Sequence, residues 1–257
     1  MDPITPVRPV WEGRRTALVF AHPGHEVLVH RFLEEAKPLV FVLSEGVTVD
    51  EEPAIRTTSR IIRKAGGRIG GIFGRCSARG LQNALMMQEH ERVFALAHEL
   101  ADHLITEEID LVVGDAAEGI DPAHDLCRVL IDAAAAIAAL TRPGLKNFEL
   151  PLLGTRSNRS VVRLRVEGEA WQRKYSQCRA YAEPVEEVRL LIETQGIDAL
   201  REEHLRLAMP WAIRHRRDVL YSSDSEGRIP AIRFREHILP FVQAMHRCVT
   251  GGHAAAA

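Results

Sequence analysis

Cysteine is scarce and widely spaced in this chain of 257 residues. The four cysteines are Cys76, Cys127, Cys178 and Cys248, and no two of them form a Cys-x-x-Cys pair. This spacing indicates neither a disulfide framework nor a zinc site built from thiolates. It is typical of a protein that works in a reducing compartment, so we expect a cytoplasmic location.

The chain also has no excess of either charge and no long apolar run. Lysine and arginine number 33 against 35 acidic residues, for a net charge of -2, which argues against a nucleic-acid-binding surface. No stretch approaches the 18 apolar residues of a membrane span, and the first nine residues lack the apolar core of a signal peptide. We therefore expect neither a nucleic acid nor a membrane as a partner.

Glycine-rich phosphate-binding motifs are missing as well. The glycines at 66, 67, 70, 71 and 74 do not form G-x-G-x-x-G between a strand and a helix, and no G-x-x-x-x-G-K-[ST] occurs. These glycines are better explained as helix ends and tight turns.

The first half of the chain alternates short apolar runs with segments of helical periodicity. Strands are predicted at 16–21, 38–43, 69–73 and 109–113, and helices at 26–36, 53–65, 89–106 and 126–140. This order predicts an α/β fold with a Rossmann-like, mainly parallel sheet flanked by helices.

After residue 145 the pattern changes. Strands at 147–153 and 161–166 are followed by charged amphipathic segments at 169–195 and 197–207, which we predict to be helices. We divide the chain into a Rossmann-like core at 14–145, a part at 146–250 that completes the sheet and adds a helical C-terminal extension, and a disordered tail at 251–257.

The first predicted strand runs directly into His22-Pro23-Gly24-His25-Glu26. The carboxyl ends of parallel strands are where open α/β sheets bind ligands. His22 and His25 are three residues apart across a turn, so both imidazoles can converge on one metal ion. Glu26 beside them can orient a ligand or handle a proton.

A second motif follows the strand at 109–113. It contains Asp115, Glu118, Asp121-Pro122-Ala123-His124 and Asp125, just before an alanine-rich helix. A third histidine, His124, thus follows a second strand of the same predicted sheet. Three histidines in this arrangement are the ligands expected of a catalytic Zn²⁺ with an open fourth position.

Together the two motifs resemble the PIG-L/LmbE-like zinc-dependent N-acetylglucosaminyl deacetylases, which carry His-Pro-Asp-Asp-Glu and His-Pro-Asp-His. The resemblance covers roughly residues 14 to 140. It implies that His22 and His124 are zinc ligands and that His25 stands where the family has a ligand aspartate. It also implies a hydrolase that removes an N-acyl group from an amino sugar or glycoconjugate.

The chain departs from the family at the groups that move protons. Gly24 replaces the aspartate that acts as general base, and Asp121 and Ala123 replace the first histidine and the aspartate of the second motif. A site of three neutral imidazoles leaves more positive charge on zinc, and such sites lower the pKa of bound water to about 7. Glu118 and Asp121 are our candidates for the acid that protonates the leaving nitrogen. For Asp121, capping of the following helix is an equally good explanation.

Two further functions stay open at this point. The chain could be a catalytically silent or repurposed member of the same fold that binds a sugar-like ligand or a partner protein. A weaker alternative is a Rossmann-like transferase without metal, in which His22 and His25 line a phosphate pocket. The sequence identifies neither the sugar nor the acyl group, and it leaves a homo-oligomer open.

Overall fold

A seven-stranded sheet forms the centre of the fold. The computed structural model describes residues 9–46, 48–49, 52–151, 162–181, 186–209, 219–221 and 232–254. The strands are β1 Thr16–Phe20, β2 Leu39–Ser44, β3 Thr48–Val49, β4 Glu52–Pro53, β5 Arg68–Cys76, β6 Leu111–Asp115, β7 Lys146–Leu150, β8 Val162–Arg165 and β9 Glu202–Leu207. The sheet order is β5-β2-β1-β6-β7-β9-β8, while β3 and β4 form a separate antiparallel pair.

Eight α-helices surround the sheet in the described ranges. They are α1 His30–Ala36, α2 Ala54–Lys64, α3 Ala78–Met86, α4 His90–Thr106, α5 Pro122–Ala139, α6 Gly168–Cys178, α7 Glu186–Gln195 and α8 Leu239–Ala254. Within these ranges, no helix combines the length and apolar character needed to cross a bilayer.

The central strands are buried on both faces. Every residue of β1, β2 and β6 is buried, as their nearly continuous apolar sequences predict for a parallel sheet covered by helices. Successive side chains of β1 point to opposite faces, so Val19 joins the apolar cluster that includes α4, α5 and α8. Leu18 joins the cluster on the other face, with α1, α2, α6 and α7.

The order of the strands brings the two histidine motifs together. Strands β5, β2, β1, β6 and β7 are parallel, and β1 lies between β2 and β6. From β1, the chain adds β2 and then β5 toward one edge of the sheet. It then returns to the other side of β1 with β6 and adds β7 toward the opposite edge. The carboxyl ends of β1 and β6 therefore meet at the switch point, where such sheets bind ligands.

The predicted fold class is confirmed, with local differences in the first half. Strand β5 is longer than predicted, and its Gly70 permits close packing, because a Cβ there would collide with the Phe41 ring. Helix α3 was not predicted. It begins after Ser77, whose hydroxyl accepts the Gly80 N–H at 3.0 Å. The predicted helix at 26–36 instead begins as a 3₁₀ turn, His25–Val27, and continues as α1.

In the second half, two helix predictions are wrong. The segment predicted as one helix at 169–195 contains two helices, α6 and α7. The helix predicted at 197–207 is a 3₁₀ turn, Ile197–Arg201, followed by strand β9. Strand β9 pairs antiparallel with both β7 and β8, and this pairing outweighs the local charged pattern.

The ends of the second half fall partly outside the described ranges. Residues 152–161, which include the end of the strand predicted at 147–153, are among those not described. Helix α8 extends to Ala254, four residues into the segment 251–257 for which disorder is predicted. The division into parts at 14–145 and 146–250 stays a prediction.

A buried ion pair joins the second half to the first. The Lys174 ammonium of α6 lies 2.8 Å from a Glu203 carboxylate oxygen on β9, and both side chains are almost wholly buried. Glu203 also accepts the backbone N–H groups of Arg31 and Phe32 at the start of α1, at 2.8 and 3.0 Å. Lys174 donates a second bond to the Leu28 carbonyl at 2.9 Å. These bonds attach α6 and β9 to the helix that follows the first histidine motif.

Candidate metal centre

The turn after β1 presents two histidines on one side. Gly24 has φ 102° and ψ -20°, a left-handed conformation that favours glycine. Nδ1 of His22 lies 3.0 Å from the Pro23 carbonyl oxygen. With its proton on Nδ1, His22 keeps a free lone pair on Nε2 for a metal ion.

His25 is held by a carboxylate behind it. Its Nδ1 lies 2.7 Å from Oδ1 of Asp115, the last residue of β6, and both side chains are fully buried. The other oxygen, Oδ2, accepts the Ala21 N–H at 2.7 Å. A carboxylate bonded to the far nitrogen of a histidine is the usual arrangement around metal-binding imidazoles, because it fixes the ring and its tautomer.

His124 reaches the same point from the first turn of α5. Its Nε2 lies 2.7 Å from Nε2 of His22. The ring centroids of His22, His25 and His124 are 4.3 to 4.8 Å apart. The structure thus brings together all three histidines that the sequence predicts as zinc ligands.

A fourth donor, Glu187 of α7, was not predicted. Its Oε1 lies 3.5 Å from Nε2 of His22 and 3.4 Å from Nε2 of His124, and its Oε2 lies 3.6 Å from Nε2 of His25. No local motif marks Glu187, which is one of two acidic residues in the first turn of an ordinary charged helix. Only the packing of the second half places it at this site.

Two buried atoms indicate that these residues fit a metal ion. Nε2 of His25 and Oε2 of Glu187 are buried and have no hydrogen-bond partner among the described residues. Buried polar groups without partners are rare unless a ligand or ion satisfies them. In a tetrahedral zinc site with bonds of about 2.0–2.1 Å, donor atoms lie about 3.3 Å apart. The histidine–Glu187 distances are close to that value, so His22, His25, His124 and Glu187 form a cluster that can hold a metal ion.

The charges in the cluster act on one another. Burial lowers the pKa of His25, but Asp115 and Glu187 outweigh it and raise the pKa well above the ordinary value. Burial raises the pKa of Glu187, yet the neighbouring imidazoles of His22 and His25 hold it far below the usual range. Burial, with the neighbouring imidazoles, lowers the pKa of His124 to about 4. These directions favour a protonated His25 beside an ionised Glu187 in the metal-free cluster, and a neutral His124.

Zinc binding should consequently release protons at pH 7. A metal ion needs the neutral imidazole, so His25 must give up the proton that Asp115 and Glu187 stabilise. In the metal-free protein, protonated His25 contributes stability that is fully present below pH about 6.5 and is lost as the pH rises through the raised pKa of His25 in the folded state.

Calorimetry measures the proton release. Zinc titrations in PIPES and in Tris should give binding enthalpies that differ with the buffer's ionisation enthalpy. Equal enthalpies in both buffers would contradict this assignment.

The predicted acids on the second loop have separate positions. Asp121 caps α5, because its Oδ1 accepts the Ala123 N–H at 2.5 Å. Asp125 accepts the N–H groups of Glu118 and Gly119 and the Tyr221 hydroxyl. Burial raises the pKa of Asp125 to about 6. Glu118 is half-buried on the loop between β6 and α5. The catalytic roles of Glu118 and Asp121 stay predictions.

Glu26, the third predicted catalytic residue, is fully buried beside the histidine turn. Its Oε2 accepts the Gly24 N–H at 2.9 Å, and its Oε1 accepts the Tyr181 hydroxyl. Burial raises the pKa of this carboxyl group. Both oxygens are engaged in holding the turn, which favours a positioning role, while a role in proton transfer stays a prediction.

Comparison with known proteins shows what this fold is similar to. No protein-family profile and no curated protein matches the chain. The zinc-inhibited form of the teicoplanin deacetylase Orf2 aligns with 75% of this chain and 97% of its own, at 16% identity and a TM-score of 0.50. A conserved protein from Thermus thermophilus aligns with 77% of this chain and 95% of its own, at 18% identity and a TM-score of 0.50.

At such identities the likeness concerns the fold. It confirms the fold that the resemblance of the two histidine motifs implies, and the cluster is a site that can hold the predicted metal ion. The chain shares its fold with the teicoplanin deacetylase Orf2.

Proposed function

We propose that this protein is a zinc-dependent amide hydrolase that removes an N-acyl group, such as acetyl, from an amino sugar or sugar-like conjugate in the cytoplasm. The observation that carries the proposal is the cluster of three histidines and Glu187 at the switch point of the sheet, buried except for the partly exposed His22. In this fold that position is the ligand-binding edge.

His22, His25, His124 and Glu187 would hold the ion. When bound, zinc supplies a Lewis acid that polarises the acyl carbonyl and lowers the pKa of a water molecule. Asp115 keeps the His25 ring in place through Nδ1, so that Nε2 faces the cluster. Glu26 fixes the turn that carries both His22 and His25, through the Gly24 N–H.

Proton transfer needs groups other than residue 24. Glycine cannot accept a proton, and Glu187, which would hold the ion and whose pKa lies far below the usual range, is a poor base. Water would instead lose its proton to bulk solvent as its oxygen bonds to the acyl carbon. When the carbon–nitrogen bond breaks, the amine nitrogen takes a proton from Glu118 or Asp121. The products are a carboxylate and a free amine.

The assay that tests this function is acetate release from a panel of N-acetylated amino sugars and their conjugates. The zinc-loaded protein should release acetate from at least one substrate, and the chelator-treated protein should release none until zinc is restored. A fully zinc-loaded, folded protein that releases no acetate from any member would count against the hydrolase.

Glu118→Gln and Asp121→Asn separate chemistry from helix capping. Loss of a general acid typically lowers turnover by about 10²–10⁴-fold. Asparagine caps a helix about as well as aspartate, so Asp121→Asn should leave the melting temperature unchanged. Asp121→Ala is the control that loses the cap as well. We expect turnover to fall by about 100-fold or more in at least one of Glu118→Gln and Asp121→Asn; near-normal turnover in both would remove the acid from this loop.

One observation favours the catalytically silent alternative. Four protein donors complete a tetrahedron, and closed sites of that kind are commonly structural. This alternative predicts zinc that raises the melting temperature without any acetate release. The phosphate-pocket alternative is disfavoured, because the Glu187 carboxylate lies against His22 and His25, where it would repel an anion.

A further inference from the structure

The chain is anchored to the histidine turn shortly before it reaches Glu187. The Tyr181 hydroxyl donates to Oε1 of Glu26 and lies 2.6 Å from the Thr58 hydroxyl. Glu26 is the residue after His25, and its other oxygen accepts the Gly24 N–H. Six residues after Tyr181, Glu187 lies within 3.6 Å of His22 and His25. Tyr181 and Glu187 therefore contact the same turn, one on each side of the start of α7.

The hydrogen bond from Tyr181 to Glu26 depends on direction, whereas the apolar packing of α7 does not. Val188 and Leu191 bury the apolar side of α7 against the sheet, and apolar burial tolerates small shifts of a helix. A buried carboxylate, by contrast, requires hydrogen bonds of defined length and angle. The Tyr181 hydroxyl and the Gly24 N–H each donate a hydrogen bond to the Glu26 carboxylate.

We propose that Tyr181 is a positioning residue that places Glu187 at the metal centre by anchoring the chain ahead of α7 to Glu26. This inference rests on the metal centre of the proposed function and not on hydrolysis. It predicts that Tyr181 affects metal binding through Glu187, although its own hydroxyl bonds to Glu26 and Thr58.

A double-mutant cycle with Tyr181→Phe and Glu187→Gln tests the inference. Zinc affinity is measured by competition with a chromogenic chelator, and the ligand field by the visible spectrum of the Co²⁺-substituted protein. We expect Glu187→Gln to weaken zinc binding by about 10–100-fold and Tyr181→Phe by about tenfold, with a changed cobalt spectrum in both. The double variant should bind zinc as Glu187→Gln does, because Tyr181 acts through the lost group.

The matched control is Tyr175→Phe, the same substitution at a partly exposed tyrosine of α6 that stacks on Trp171. It should change neither affinity nor spectrum. If Tyr181→Phe folds poorly, Thr58→Val tests the same link, since it removes the other partner of the Tyr181 hydroxyl and leaves the bond between Glu26 and Gly24 in place.

Three results would overturn the inference: additive losses in the double variant, wild-type zinc affinity and spectrum in Tyr181→Phe, or no effect of Glu187→Gln. Because both readouts are taken without substrate, they decide the role of Tyr181 even if no acetate is ever released. If the double-mutant cycle is non-additive but no acetate is released, the proposed hydrolase activity is contradicted and the role of Tyr181 stands.

Discussion

The His124→Ala variant should lose nearly all of the zinc that the wild-type protein binds at one ion per chain. His124 is the donor that α5 contributes, and its Nε2 lies 2.7 Å from that of His22. Without it, only the donors from the turn after β1 and from α7 remain, and a site this enclosed leaves little room for water to replace the ring. Metal analysis after dialysis measures the stoichiometry, and acetate release should fall with it.

His98→Ala provides the matched control, because His98 is an exposed histidine on α4. It should keep one zinc per chain and full activity. A His124→Ala protein that still carries one tightly bound zinc would contradict the assignment of His124 as a ligand.

The second large effect is on stability. Lys174→Met should lower the free energy of unfolding by about 3–5 kcal/mol, the usual cost of removing one partner of a buried ion pair. The substitution leaves the Glu203 carboxylate buried without its cation, although the Arg31 and Phe32 N–H groups still bond to it. Urea unfolding followed by circular dichroism measures the change.

The neighbouring Arg173→Met is the control, since Arg173 forms an exposed ion pair with Glu34 and its loss should change stability little. Lys174→Met/Glu203→Gln should recover part of the lost stability, because glutamine is neutral and keeps an acceptor for α1. A Lys174→Met protein as stable as the wild type would show that the pair does not join the two halves of the fold.

The parts of the metal centre that could be predicted are those encoded locally. Strands β1 and β6 are short apolar runs that end in polar turns, so their order alone places the following loops at one edge of the sheet. His22 and His25 follow the first strand, and His124 follows the second. Sequence periodicity and the rule for parallel sheets were sufficient to bring these three residues together.

The parts that could not be predicted depend on contacts between distant segments. Glu187 lies in a charged helix without a motif, and only the packing of α7 on the sheet shows its role. Strand β9 has a sequence compatible with an amphipathic helix, and its pairing with β7 and β8 decides otherwise. For Asp121, capping and catalysis demand the same residue type, so the sequence could not separate them.

The central claim is that both halves of the chain build one zinc centre. X-ray diffraction from zinc-soaked crystals at the zinc absorption edge tests it most directly. The account predicts a single strong anomalous peak about 2.0–2.1 Å from Nε2 of His22, His25 and His124, next to the Glu187 carboxylate. No peak at this position, or a peak only at other side chains, would contradict it.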